Sequence, residues 1–264
     1  KAYMWRMKTQ DILTPDSFYV GLRDLEQWAK QTEQPMDRAI LHSLIAEFYA
    51  NYAADNQWQL RQRTEIVGET PSADIREWTA NMFVEKVRTN VKEALADSLL
   101  LLKTSSRNYI PFVELGETSE YYHHDMYHLL ASRAVRALNQ IERLERGSFN
   151  GITVSPVKQD IINIYERMSD AYETAGLKEG YVLTMLQYLE WERGNDNKLQ
   201  PVQLKKGLGE WTADTYNAAL DELKRQFKSE PICAEVYLAQ ARYAVEKMQQ
   251  VNALQLCDEA IRLY

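Results

Sequence analysis

The one cluster in this sequence with metal-ligand chemistry is His123, His124, Asp125 and His128, in the stretch Tyr122-His-His-Asp-Met-Tyr-His128. On a helix His124 and His128 face the same way, and zinc would need one or two more ligands from elsewhere. The HExxH pattern is missing, so no zincin general base stands between the histidines. The alternative is structural, with the histidines at a helix start packed among Tyr121, Tyr122 and Tyr127. A second group, Arg61, Arg63 and Glu65 near Trp58, has the chemistry to bind an anionic partner, because a guanidinium stacks on aromatic rings and pairs carboxylates as a fork. An internal ion pair is the competing role. No GxSxG turn, phosphate-cradling Walker loop, dinucleotide fingerprint or cysteine paired with a histidine occurs. The chain therefore reads as a non-enzyme, and no cofactor is expected.

Composition narrows the class. The 264 residues are 45% hydrophobic and 26% charged, and ten glycines and seven prolines are too few for a loop-rich β protein. With 31 Lys and Arg against 38 Asp and Glu, the net charge of −7 argues against nucleic acid as a partner. No run approaches the roughly 18 to 20 apolar residues of a bilayer crossing, and no secretory signal is visible in the chain. Cys233 and Cys257 are too few for a disulfide scaffold. In a helical hairpin turning near Gln250 they sit on the order of 13 to 15 Å apart along the axes, beyond the roughly 7 Å limit for a bridge. Two unpaired, mostly buried thiols are expected.

The elements that would position these groups are all helical. Phe18, Leu22, Leu25 and Trp28 recur at helical spacing, after a Thr14-Pro15-Asp16 cap. From Met36 a longer helix carries Ile40, Leu41, Leu44, Ile45, Phe48, Tyr49 and Tyr52, a double row wide enough for two neighbours. Trp58 to Val67 reads as a short helix entering a loop, and Ser72 to Glu77 as a capped turn. The longest helix is expected over about 79–103, on the stripe Val84, Val87, Val91, Leu95, Leu99 and Leu102, at the centre of the N-terminal half. Residues 104–117 read as irregular, and a helix follows through Leu130, Ala134, Leu138 and Ile141.

Gly147, Asn150, Gly151 and Pro156 suggest a boundary, giving an irregular helical half over 1–146, a linker over 147–156 and a more regular half over 157–264. There Ile161 to Tyr172 and Val182 to Leu189 pair about Gly176, Thr212 opens a helix through Tyr216, Leu220 and Leu223, and Pro231 to Tyr264 forms the last hairpin. In that hairpin Ala241, Ala253 and Ala260 let two backbones approach, with Tyr237 and Leu256 beside them. The fold expected is an all-α array of antiparallel helical hairpins, a tetratricopeptide-like superhelix, in which each narrow stripe is buried by the next hairpin.

The stretch ILHSLIAEFYANYAADNQWQLRQRTEI from Ile40 to Ile66, with DIREWT at 74–79, YHLLASRAV at 127–135 and NAALDELKRQF at 217–227, resembles the helical N-terminal region of the large alpha-2-macroglobulin-like proteins of Bacteroidetes. The resemblance implies an envelope-associated, periplasmic or secreted parent whose macroglobulin domains trap proteases. The family's thioester needs Cys followed by Glu-Gln, whereas Cys233 precedes Ala-Glu-Val and Cys257 precedes Asp-Glu-Ala, so no functional residue carries over.

The reading that results is a non-catalytic scaffold or protein-interaction module, binding protein or peptide segments, other domains of its own parent among them. Leu238, Arg242 and Val245 would face the binding groove of the last hairpin, opposite its packed alanines, and Arg61 and Arg63 are further candidates for partner contact. A helical metal-binding protein or enzyme centred on His124 and His128 is the rival, and an envelope glycan-binding protein, suggested by the six Trp and sixteen Tyr, is a third reading.

Overall fold

A computed structural model of the chain describes Arg6, Thr9 and residues 18–63, 72–110, 113, 124–145, 155–194 and 215–263. Among these residues the regular structure is entirely helical, with no strand beyond one isolated bridge. Eleven α-helices lie among the described residues: α1 Phe18–Gln31, α2 Pro35–Asp55, α3 Gln57–Gln62, α4 Ala80–Ala94, α5 Ser98–Lys103, α6 Met126–Glu142, α7 Pro156–Ala175, α8 Lys178–Gly194, α9 Thr215–Gln226, α10 Cys233–Glu246 and α11 Gln250–Ile261. Short 3-10 turns occupy Ile75–Glu77 and Ser106–Tyr109. Among the described residues no helix is long and apolar enough to cross a membrane. The Thr14 cap, Glu65 and most of the expected 147–156 linker lie outside the described residues.

Contacts divide the chain into two compact units, 1–164 and 165–264, with the division inside α7. In the first unit α2 is the centre and, at 21 residues, the longest described helix. Its apolar residues wrap most of the way round, so it packs on α1, α4 and α6. Tyr49, Ala50 and Ala53 on α2 are completely enclosed, together with Leu22 and Leu25 on α1 and Phe83 on α4. The Tyr49 ring stacks on Trp78 at 5.4 Å and 9°, and Phe83 lies within 5.3 to 6.3 Å of Tyr49, Tyr52 and Trp78. Trp28, placed on the inner stripe by its spacing, is 51% exposed, and the smaller Ala29 takes the inner position.

The helix expected over 79–103 is two helices. The apolar spacing runs on past Ala94, but the backbone breaks at Leu95–Asp97, where the Asp97 carboxylate accepts the Leu100 N–H at 3.0 Å and starts α5. The break turns the stripe, so Val84, Val87 and Val91 are buried while Leu99 is 66% exposed.

Polar ties hold the layers in register. The Tyr49 hydroxyl donates to Glu26 at 2.8 Å, and Lys86 pairs the same carboxylate at 2.7 Å, joining α1, α2 and α4. Burial first, then the Glu26 charge, pushes the Tyr49 hydroxyl far above its ordinary pKa, so it stays a donor. Arg88 on α4 grips Asp160 on α7 through Nε at 2.6 Å and Nη2 at 3.4 Å.

In the second unit α8, α9 and α10 pack together and α11 packs on α10. Two turns share one hydrogen-bond pattern. After α7, Gly176 at φ +68° lets its N–H reach the Glu173 carbonyl at 3.1 Å and the Leu177 N–H reach Tyr172 at 2.9 Å. After α10, Met248 at φ +60° does the same, its N–H meeting Val245 and the Gln249 N–H meeting Ala244 at 2.8 Å. Both are left-handed helix caps that satisfy the last carbonyls and reverse the chain.

Candidate interaction surface

The α10–α11 hairpin is built on small side chains. Ala234, Ala241 and Ala244 on α10 and Ala253 and Ala260 on α11 are all buried. Ala253 and Ala260 are also the only α11 residues buried to this degree. Five large apolar residues of the hairpin are instead exposed, Val245 at 56%, Met248 79%, Val251 73%, Leu254 68% and Ile261 71%, while Val236 on α10 is fully buried. Val251, Leu254 and Ile261 share one face of α11 by helical spacing. On α11 the alanines thus face inward and Val251, Leu254 and Ile261 outward, which gives an apolar surface on the last described helix, and exposed apolar surface marks a contact site.

Behind that surface the polar groups are tied to one another. Gln240 on α10, 4% exposed, donates Nε2 to Asp221 Oδ1 at 2.8 Å and accepts from Lys224 Nζ at 3.0 Å, both on α9. Burial works to raise the Asp221 pKa, but the hydrogen bonds from Lys224 and Gln240 outweigh it and hold the carboxyl below its usual range. Arg193 on α8 pairs Glu190 at 2.8 Å and Glu246, and its guanidinium lies 4.8 Å from the Tyr216 ring centroid and 5.8 Å from that of Tyr243. The Tyr216 hydroxyl donates to Glu190, and burial is the main reason its pKa lies far above the ordinary value. Such a network ties α8, α9 and α10 together, each cation in it paired with at least one carboxylate.

Leu238 is half-buried, and Arg242 and Val245 are exposed on the same outward side of α10. Val251, Leu254 and Ile261 are not among the sequence-derived candidates; the alanine spacing of α11 is the signal that places them outward. Arg61 donates to the Arg143 carbonyl at 2.9 Å and Arg63 to the Trp78 carbonyl at 2.6 Å. They bind backbone within the first unit, leaving Trp58 72% exposed beside them.

The histidine-rich stretch starts a helix. Asp125 is the cap of α6, its carboxylate accepting the His128 N–H at 2.7 Å. The Ser106 N–H donates to the His124 carbonyl at 3.1 Å and the Met126 N–H to the Thr104 carbonyl at 2.8 Å, pinning both ends of the 104–126 segment together. Desolvation lowers the His128 pKa, partly offset by the Asp125 charge. His123 lies outside the described residues, and among those described no group of three or more His, Cys, Asp or Glu is arranged to hold a metal. Neither cysteine is in a disulfide; Cys233 is fully buried and Cys257 half-buried.

No family model matches the sequence, no curated protein is significantly similar to it, and no solved structure matches its fold.

Proposed function

We propose that the chain is a non-catalytic helical scaffold of tetratricopeptide-like hairpins that docks an amphipathic protein segment on the outward apolar face of α10–α11. The observation that carries this reading is the exposure of Val251, Leu254 and Ile261, between 68% and 73%, on the helix whose alanines are buried. A row at helical spacing suits a partner helix with apolar residues at i, i+3 and i+7. The matching caps at Gly176 and Met248 support the repeat reading, since each reverses the chain between two packed helices in the same way. The parent in this proposal is an envelope or secreted alpha-2-macroglobulin-like protein, on the strength of the sequence resemblance, and the docked segment belongs to another domain of it or to a protein it meets there.

Peptide display on the purified chain tests the docking. Selection should enrich amphipathic helical peptides that bind the wild type and fail to bind a Val251→Asp, Leu254→Asp variant of unchanged helicity. Enrichment of peptides that bind both proteins equally would overturn the surface assignment. The parent is tested by the genomic reading frame that encodes this chain: macroglobulin β domains in it support the assignment, and a frame without them refutes it.

A further inference from the structure

A cavity of about 200 Å³ opens between α2 and α6 in the first unit. Its α2 wall is Ile40, Ser43 and Leu44, and its α6 wall is Met126, Leu130 and Arg133. Ile40, Leu44, Met126 and Leu130 are each at most 9% exposed, so the floor of the cavity is apolar, while the cavity itself is partly open to solvent and the Arg133 side chain that lines it is 28% exposed. The polar atoms are gathered by one interaction. Arg133 donates Nε to the Ser43 hydroxyl at 3.2 Å, and Ser43 is only 6% exposed. The same guanidinium pairs with Glu47, one helical turn further along α2.

This arrangement sets the chemistry of an occupant. The size is slightly above the roughly 150 Å³ at which a dry apolar cavity accepts a benzene ring. A guanidinium carries five N–H donors in a fixed plane. Arg133 uses Nε on Ser43 and Nη2 on Glu47, and among the described residues nothing accepts from Nη1. Because Glu47 already balances the charge, an anionic ligand would be repelled by the neighbouring carboxylate, whereas a neutral acceptor meets a donor held in place from two sides. We propose that the α2–α6 cavity is a binding site for a small neutral carbonyl compound, one ring or a short chain in size, its body against Leu44, Met126 and Leu130 and its oxygen accepting from Arg133 Nη1.

The proposal is tested on the whole chain with acetophenone, its carbonyl-free counterpart ethylbenzene, and benzoate, by ligand-observed NMR and by the methyl signal of Met126. Acetophenone should bind saturably and shift the Met126 methyl in the wild type. Ethylbenzene should bind about five- to tenfold more weakly, the worth of one net hydrogen bond, and benzoate more weakly than acetophenone. Arg133→Met should remove the advantage of acetophenone over ethylbenzene. Leu129→Trp, at a half-buried lining position, should block the cavity and cost about tenfold or more in affinity. Absence of saturable binding, a Met126 signal that does not move, or undiminished binding to a normally helical Leu129→Trp protein would overturn the proposal. A wild type that prefers ethylbenzene would also overturn it, marking the cavity as an anchor for an apolar side chain of a partner.

Discussion

The ring of Tyr172 on α7 occupies the space into which a side chain on Gly180 of α8 would project: a Cβ there would fall 2.4 Å from Tyr172 Cδ1 and 2.5 Å from Cε1. Tyr172 is fully buried, so the ring has nowhere to retreat. Gly180→Ala should therefore destabilise the protein by about 1–3 kcal/mol, the usual cost of overpacking, read as a lower midpoint in urea. A Gly180→Ala, Tyr172→Leu double variant should recover part of the loss. If Gly180→Ala were neutral, the close approach of α7 and α8 would be wrong.

Two left-handed caps predict substitutions of opposite sign. Gly176→Ala places a Cβ at φ +68° and should cost on the order of 1 kcal/mol. Met248→Gly removes a side chain from φ +60° and should gain a similar or smaller amount, because the unfolded chain also becomes freer. Chemical denaturation of the two variants checks the pair, and equal signs would contradict the shared turn geometry.

His128 gives the stability a pH dependence of definite sign. Its pKa is lowered in the folded protein by desolvation, with Asp125 opposing, from an unfolded value of 6.5. The unfolded chain therefore takes up a proton first, so stability is full above about pH 6.5 and falls as the pH drops from there to the folded pKa. His128→Gln should flatten that part of the profile, measured by urea titration at a series of pH values. An unchanged slope would remove His128 as its source.

The thiols should react in order. Cys233 is fully buried, with desolvation raising its pKa and Lys224 partly opposing, while Cys257 is half-buried. Alkylation followed by peptide mass spectrometry should show Cys257 modified in the native protein and Cys233 only after denaturant is added. Faster modification of Cys233 would mean that α10 opens readily from α9.

Much of this fold was legible because apolar spacing alone decides it. The double row from Ile40 to Tyr52 marked α2, and Gly176 marked the α7–α8 turn, since few other residues tolerate its φ. Spacing failed at Leu95–Asp97, where the apolar stripe continues in sequence although the helix does not. The sign that could have exposed the break was Asp97 standing as a cap ahead of Ser98 and four leucines. Arg61 was opaque for another reason: its acceptor is the backbone of Arg143, 82 residues away, and a carbonyl leaves no mark in the sequence. On α11 the alanine spacing was visible, but the outward turn of Val251, Leu254 and Ile261 followed only once α10 was placed against Ala253 and Ala260.

The claim that matters most is that the outward face of α10–α11 is where this protein meets a partner. The affinity of a display-selected peptide for three proteins tests it directly: the wild type, Val251→Asp with Leu254→Asp, and Leu238→Ala with Arg242→Ala and Val245→Ala. The account predicts a loss of about tenfold or more in the first variant, as truncated anchors at an interface centre give, and a smaller loss in the second. Affinity unchanged in both variants, with helicity intact, would contradict it.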